Sequence, residues 1–112
     1  MMQAKSGDAT VLKLTGRLDA LTAPDVQEHL LQLIDQGERL IALDAADMDY
    51  IASIGLRTLI LAAQRLRKEK GRLIIFSLTP QVREVFDTAG FSKYFEVADT
   101  RKGALAQLTA RA

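Results

Sequence analysis

Residues 39–66, RLIALDAADMDYIASIGLRTLILAAQRL, pass from a strand pattern into a helix pattern within one short stretch. The segment RLIALD is an apolar run that ends at Asp44; it is too short for a buried helix and typical of a central strand. From Gly55 the apolar residues recur at helical spacing along one stripe: Leu56, Leu59, Ile60, Ala63 and Leu66. A buried strand that leads into an amphipathic helix is the repeating unit of a parallel α/β sheet, so this stretch decides the fold class.

The alternation of strand and helix patterns continues in both directions from this stretch. Strands are predicted at 3–5, 10–14, 72–76 and 94–98, and helices begin near Thr22, Thr79-Pro80, and Asp99 or Thr100. The first two strands pair through a turn near Gly7-Asp8. The predicted order is β-β-α-β-α-β-α-β-α. We therefore expect an α/β fold, in which residues 1–112 form a single domain around a mixed sheet of about four or five strands with about four helices.

The composition is that of an ordinary globular chain of 112 residues, 48% hydrophobic and 26% charged, with a formal net charge of +1. This charge gives no overall field to attract nucleic acid or an anionic membrane, so neither is expected as a direct partner. The sequence has no cysteine, which excludes disulfides and most structural zinc sites. The start, MMQAKSGD, lacks the apolar run of a signal peptide, and no stretch approaches the ~20 apolar residues of a membrane span. We expect a cytoplasmic protein without membrane insertion.

No set of catalytic residues can be assembled from the sequence. The only histidine, His29, lies in the middle of the first predicted helix, and Ser53 is preceded by Ile51-Ala52 rather than by a nucleophile-elbow motif. No phosphate-binding glycine loop is present. Asp44, Asp47 and Asp49 suggest magnesium, but a turn rich in side-chain-to-backbone hydrogen bonds explains them better. We expect no enzyme activity, no catalytic residue, no cofactor and no metal.

A basic run, RLRKEKGR at residues 65–72, carries five positive residues and one negative. Nucleic-acid binding would favour stacking aromatic residues within such a patch, and this run contains none. Cations also suit the carboxyl end of a helix because of its dipole. The run is therefore interpreted as a solvated helix end.

Ser53 lies where the strand pattern gives way to the helix pattern. Serine is a favoured N-cap, and its side chain then accepts a hydrogen bond from a backbone N–H two or three residues on. The same position tolerates phosphate, because a helix N-terminus offers free N–H groups and a partial positive charge. A phosphoserine would add nearly two negative charges without unfolding the domain. The residues alone leave the two interpretations, helix cap and switch, open.

Three segments resemble the STAS domain family, of the type found in bacterial anti-sigma-factor antagonists. LTGRLDALTAPDVQEHL (residues 14–30) is similar to the family's L-x-G-x-L-D segment and first helix. LIALDAADMDYIASIGLRTLILA (40–62) is similar to the strand that ends in D-S-[ST]-G and the second helix. GRLIIFSLTPQVREVFDTAGFSKYFEV (71–97) is similar to the later strand, third helix and closing strand. The three segments occur in the family's order and spacing and cover nearly the whole chain.

The resemblance implies a partner-switching mechanism. Antagonists of this family bind an anti-sigma factor that is also a serine kinase of the histidine-kinase-like ATPase type, which releases the sigma factor. The kinase phosphorylates the first serine of D-S-[ST]-G, which weakens the complex, and a serine phosphatase restores it. By position that serine is Ser53. Asp19 matches an acidic residue near the partner-binding surface, and Gly55 matches the glycine that opens the second helix.

Two positions depart from the family motif: Ala52 replaces its aspartate, and Ile54 replaces the following serine or threonine. We expect an exposed surface formed by the loop after Asp19, a loop from Asp47 to Ile54, and a face of the second helix that includes Arg57. The sequence leaves open whether Arg65 also belongs to that face. Arg57 lies one helical turn from Ser53 and can pair with a phosphate or a partner's carboxylate.

The departures keep an alternative function open. Small STAS proteins also accompany lipid-transport complexes of the ABC type, where the domain would dock on an ATPase without phosphorylation. We expect a monomer in either case.

Overall fold

A computed structural model of the chain describes residues 1–88, Gly90, Lys93 and 95–110. Within these residues the strands are β1 (Met2–Ser6), β2 (Ala9–Leu18), β3 (Leu40–Ile51), β4 (Arg72–Phe76) and β5 (Glu96–Ala98). The helices in the same part of the chain are α1 (Ala23–Asp35), α2 (Ser53–Lys68), α3 (Pro80–Thr88) and α4 (Arg101–Thr109). The predicted α/β class, the element order and the mixed sheet are confirmed.

The sheet has the strand order β1-β2-β3-β4-β5. β1 and β2 form an antiparallel hairpin through the predicted turn, whereas β2, β3, β4 and β5 are mutually parallel. The four parallel strands therefore end at one edge of the sheet, and the loops that lead into α1, α2 and α3 start there. Sites in open parallel sheets collect at this edge, because the carboxyl ends of the strands meet there.

The core lies on both faces of the sheet. The larger cluster packs α1, α2 and α3 against one face and includes Leu12, Leu43, Leu59 and Phe86. The smaller cluster lies under α4 on the other face and includes Val11, Ile74, Phe76 and Leu108. The helical stripe predicted from Leu56 to Leu66 is buried against the sheet, apart from Ile60, which is partly buried.

Two predicted strands are longer in the structure. The prediction that β3 ends at Asp44 is wrong, because the strand continues to Ile51, with Met48 and Ile51 buried. β2 likewise continues past Leu14 to Leu18 and remains paired with β3 throughout. Register shifts between 13 and 15 and between 16 and 17 interrupt the pairing. Such bulges break the simple alternation of apolar and polar residues by which a strand is recognised in sequence.

The other element boundaries lie close to the predicted ones. Thr100 caps α4 by accepting a hydrogen bond of 3.0 Å from the Gly103 N–H, which confirms one of the two predicted caps. The last strand begins at Glu96 rather than at residue 94, and Tyr94 lies outside the described residues.

Candidate functional site

The candidate site lies at the carboxyl ends of β2 and β3. Leu18, the last residue of β2, pairs with Ile51, the last residue of β3. One residue further, the Ala52 N–H donates a hydrogen bond of 2.9 Å to the Leu18 carbonyl oxygen. This bond holds the start of α2 beside the turn that leads into α1. A main-chain hydrogen bond therefore holds together the two segments that were predicted to form one surface.

Gly55 allows α2 to approach the end of β2 closely. A Cβ atom at this position would lie 2.6 Å from the Leu18 Cγ and 2.8 Å from the Leu18 carbonyl oxygen. Real Cβ atoms essentially never come so near. The structure thus gives Gly55 a packing role, and its place in the sequence motif follows from that contact.

Ser53 is the first residue of α2, and its side chain is exposed. The interpretation of Ser53 as the N-cap is wrong, because the N-cap is Ala52, whose backbone is extended and whose side chain cannot accept a hydrogen bond. The first hydrogen bond of the helix is donated by the Leu56 N–H to the Ala52 carbonyl oxygen, at 3.0 Å. The N–H groups of residues 53–55 precede that bond and point out of the helix end. Among the described residues, the Ser53 hydroxyl has no hydrogen-bond partner.

Asp19 organises the turn between β2 and α1. Its carboxylate accepts hydrogen bonds from the N–H groups of Leu21, at 3.0 Å, and Thr22, at 3.3 Å, and it lies 3.4 Å from Arg17 Nε. Partial burial acts to raise the pKa of this carboxyl, but these hydrogen bonds, together with one from the Thr22 hydroxyl, outweigh it and lower the pKa. Asp19 is thus ionised and already bonded within the chain, so its first role is to hold the turn.

Asp47 is not in a loop next to Ser53, and that prediction is wrong. It lies within β3, opposite Thr15, four residues before the end of the strand and roughly 13 Å from it. Its carboxylate forms an ion pair of 2.8 Å with Lys13 Nζ. The hydrogen bond to Asp47 and its charge raise the pKa of Lys13. The structure therefore brings Asp19, Ser53, Ile54 and Gly55 together but leaves Asp47 apart from them.

Exposed apolar side chains lie on the segments that meet at the start of α2. Leu21 is 88% exposed, Tyr50 41% and Ile54 45%, although all three are large hydrophobic residues. The Arg17 guanidinium lies 4.4 Å from the centroid of the Tyr50 ring and also forms an ion pair with Asp19. A cation placed over an aromatic face orients both groups. We define the apical surface as the set Arg17, Asp19, Leu21, Tyr50, Ser53, Ile54 and Arg57.

The predicted surface included the segments that carry Leu21 and Tyr50 but did not single out these side chains, and it did not include Arg17. A single apolar residue in a turn is ordinary in sequence, so Leu21 gave no signal by itself. The Arg17–Tyr50 contact depends on the register of β2 and β3 beyond the bulges, where the two residues are paired directly. Recognising both strands out to their true ends would have revealed it.

The two arginines on α2 have different surroundings. Arg57 is exposed, and within the described residues it has no carboxylate partner. Arg65 instead forms ion pairs with Asp35 at 2.8 Å and Glu69 at 2.7 Å, near the other end of the helix. Arg57 therefore belongs to the apical surface, whereas Arg65 does not. Leu61, which is 46% exposed, lies two helical turns from Ile54 on the same side of α2.

The other residues considered for chemistry lie elsewhere. His29 Nε2 lies 2.7 Å from Gln3 Oε1, across the junction of α1 and β1. Asp44 accepts a hydrogen bond of 3.0 Å from the Ala46 N–H. In the part of the chain that the structure describes, no three acidic or histidine side chains are close enough to hold a metal ion together. Likewise, no helix there has the length and apolar character needed to cross a membrane.

Comparison with known proteins gives a consistent result. The sequence profile of the STAS domain matches residues 1–104. A Bordetella bronchiseptica protein named as a candidate anti-sigma factor antagonist, BtrV, is 41% identical over 93 residues, which are 83% of this chain and 80% of that protein. An anti-sigma-B factor antagonist of Listeria monocytogenes is 29% identical over 84 residues, covering 75% of this chain and 74% of the relative.

Solved structures share the fold. The unphosphorylated form of the anti-sigma factor antagonist SpoIIAA superposes with a TM-score of 0.82 at 21% identity, covering 99% of this chain and 97% of that one. The phosphorylated form of SpoIIAA superposes with a TM-score of 0.72, covering 95% and 96%. At this level of identity the likeness concerns the fold alone.

Proposed function

The chain belongs to the STAS domain family, and from this premise we propose that it is an anti-sigma factor antagonist. It binds an anti-sigma factor through the apical surface, and this binding releases a sigma factor. The proposal is supported by the names of the relatives and by one structural observation. Large apolar side chains are exposed on the segments next to Ser53, at the edge of the sheet where the parallel strands end. An exposed apolar group with a polar rim is typical of a protein-binding site.

Ser53 is the proposed phosphorylation site. Its hydroxyl is exposed and unbonded within the described residues, so a kinase meets it without having to unfold the helix. The free N–H groups at the start of α2 and the helix dipole favour an added phosphate. Arg57, one turn on, supplies a cation on the same side of the helix. The kinase in this proposal is the anti-sigma factor itself, of the histidine-kinase-like ATPase type, and a serine phosphatase reverses the reaction.

Phosphorylation weakens the complex because the phosphate would be buried against the partner. The apical surface is apolar next to Ser53, owing to Ile54 and Tyr50, so a partner shaped for it presents few cations there. Arg57 and the N–H groups of α2 contact the phosphate only from its own chain, and the side that faces the partner meets no cation there. Desolvating that side costs several kcal/mol, which corresponds to at least about a hundredfold loss of affinity. Ile54 itself is proposed as an anchor that the partner encloses.

The first test is phosphorylation. The protein is incubated with ATP and the candidate kinases of its own organism, and the product is mapped by mass spectrometry. We expect one phosphate on Ser53 and none in the Ser53→Ala variant. Phosphate on another residue, or none with any cognate kinase, would refute the switch.

The second test is binding, measured by calorimetry with the anti-sigma factor. Ser53→Asp should lower the affinity at least about tenfold, since aspartate carries about half the charge of a phosphate. Gln64→Glu, which adds the same charge on an exposed position of α2, is the matched control and should bind like the wild type. Equal affinity of Ser53→Asp and wild type would show that charge at this position does not control the complex.

One observation favours a second candidate function. Ala52 and Ile54 stand where the family motif has polar residues, and Ala52 leaves Ser53 without a neighbouring carboxylate in the sequence. A subunit of a lipid-transport complex that docks on an ATPase would need the apolar surface but no phosphorylation. Binding to such an ATPase that Ser53→Asp leaves unchanged would favour this function. In both cases we propose a cytoplasmic monomer that acts by binding and not by catalysis.

A further inference from the structure

The basic run at residues 65–72 is not explained by the apical surface, and the structure divides its charges into two groups. Arg65 is paired with Asp35 and Glu69, and Arg72 forms a bidentate ion pair with Glu96. Among the described residues, Arg67, Lys68 and Lys70 have no carboxylate oxygen within 4.0 Å. Because the nearby carboxylates are already paired, the carboxyl end of α2 carries positive charge that nothing in the described chain neutralises.

A cavity of about 220 Å³ opens beside this charge, between the last turns of α2 and the start of β4. Its lining is mixed, and the buried side chains of Ala63, Leu73 and Phe95 supply the apolar part. Its rim carries two exposed cations, Arg67 and Lys93. Lys68 follows Arg67 directly and has the same charge, but it does not line the cavity.

The Arg72–Glu96 pair closes one side of the cavity. The Arg72 guanidinium also donates a hydrogen bond of 2.8 Å to the Gln107 carbonyl oxygen, which ties the first residue of β4 to α4. The negative charge of Glu96 is thus held by Arg72 and does not neutralise the cations of the rim. A lining with an apolar part and two cations that, within the described residues, have no carboxylate partner suits a ligand with an apolar body and one anionic group.

We propose that this cavity binds a small organic anion with a short apolar body, such as an aromatic carboxylate or phosphate ester. The anionic group lies between Arg67 and Lys93, and the apolar body contacts Leu73 and Phe95. The site is at the opposite end of α2 from Ser53, about 20 Å away for a helix of this length. It therefore goes beyond the proposed function and does not depend on it.

The test is a titration of the full chain, labelled with ¹⁵N, in NMR experiments with three probes: phenyl phosphate, inorganic phosphate and benzyl alcohol. Phenyl phosphate should shift the amide signals of Ala63, Gly71 and Leu73. Inorganic phosphate and benzyl alcohol should each bind at least about tenfold more weakly, because the first lacks the apolar body and the second lacks the anionic group. Equal binding of inorganic phosphate, shifts confined to other residues, or no binding of phenyl phosphate would overturn the proposal.

Two variants distinguish binding in the cavity from attraction of the anion by the overall charge of the helix end. Arg67→Gln should weaken phenyl phosphate about tenfold, since it removes a charge-assisted hydrogen bond. Lys68→Gln, which removes the same charge one residue away and outside the cavity, should change the affinity less than about twofold. Both side chains are exposed, so both variants should fold. An equal effect of the two variants would mean that the anion is attracted by the overall charge of the helix end and that the cavity does not bind it.

Discussion

Replacing Gly55 by alanine places a methyl group where the end of β2 already lies. The added Cβ would be 2.6 Å from the Leu18 Cγ and 2.8 Å from its carbonyl oxygen. The side chain of Leu18 is buried, and its carbonyl oxygen accepts the hydrogen bond from Ala52, so neither atom can move without loss. Relief of the clash therefore requires the start of α2 to shift away from β2.

Two effects of opposite sign set the size of the change. Overpacking in a well-packed core costs about 1–3 kcal/mol, and a fixed carbonyl oxygen places this case in the upper part of that range. Alanine in a helix is more favourable than glycine by about 0.5–1 kcal/mol. We expect the free energy of unfolding to fall by about 1–2 kcal/mol. Urea denaturation followed by circular dichroism measures this as a lower midpoint with an unchanged slope.

Gly103→Ala is the matched control, because Gly103 is the third residue of α4 as Gly55 is the third residue of α2. A Cβ at Gly103 would meet only the Thr100 Oγ1, at 3.2 Å. This variant should be neutral or up to about 1 kcal/mol more stable than the wild type, through helix propensity alone. If Gly55→Ala gained as much stability as Gly103→Ala, close packing on Leu18 would not be the reason for glycine at this position.

Three further predictions concern single side chains. The pKa of the Asp19 carboxyl is lower in the folded protein than in the unfolded chain, where it is about 3.9. The ionised carboxylate therefore stabilises the fold above that pH, and this contribution is lost as the pH falls through the folded pKa. Asp19→Asn should therefore flatten the acid side of the stability–pH curve, and an unchanged curve would contradict this. Glu38 accepts hydrogen bonds from Lys5 at 2.8 Å and from the buried Thr10 hydroxyl at 2.7 Å. Glu38→Ala should lower the free energy of unfolding in urea by about 1–2 kcal/mol, whereas Glu38→Gln, which retains an acceptor, should lower it less. Ile54→Ser should change stability by less than about 0.5 kcal/mol but weaken anti-sigma factor binding in calorimetry at least about tenfold; unaltered affinity would exclude an anchoring role.

The sequence predicted the parts of the fold whose local patterns are regular. The helical stripe from Leu56 to Leu66 and the apolar strand before it define the central unit, and both were placed correctly. The outer half of β3 was not recognised, because bulges in its pairing with β2, between Asp44 and Asp47 and between Met48 and Tyr50, shift the alternation. This error also placed Asp47 in a loop. Strand ends that depend on non-local pairing cannot be read from a local pattern.

The sequence motif predicted the position of the candidate site, but it did not predict the geometry of the site. The motif located Ser53 and Gly55, but it did not show that Ala52 would take the cap position or that the Ser53 hydroxyl would be unbonded. The contact between Arg17 and Tyr50 arises from residues 33 positions apart that meet only across two strands. Such pairs are set by register, which depends on the whole sheet.

The bond from the Ala52 N–H to the Leu18 carbonyl oxygen has a consequence for how such regulators diversify. Main-chain atoms and one glycine hold the junction, so the side chains at positions 52 and 54 are not needed to keep its shape. Gene duplication can then supply copies that differ at these two positions and retain an intact scaffold. We expect bacteria with several such circuits to insulate them from cross-talk through substitutions of this kind, at little cost in folding.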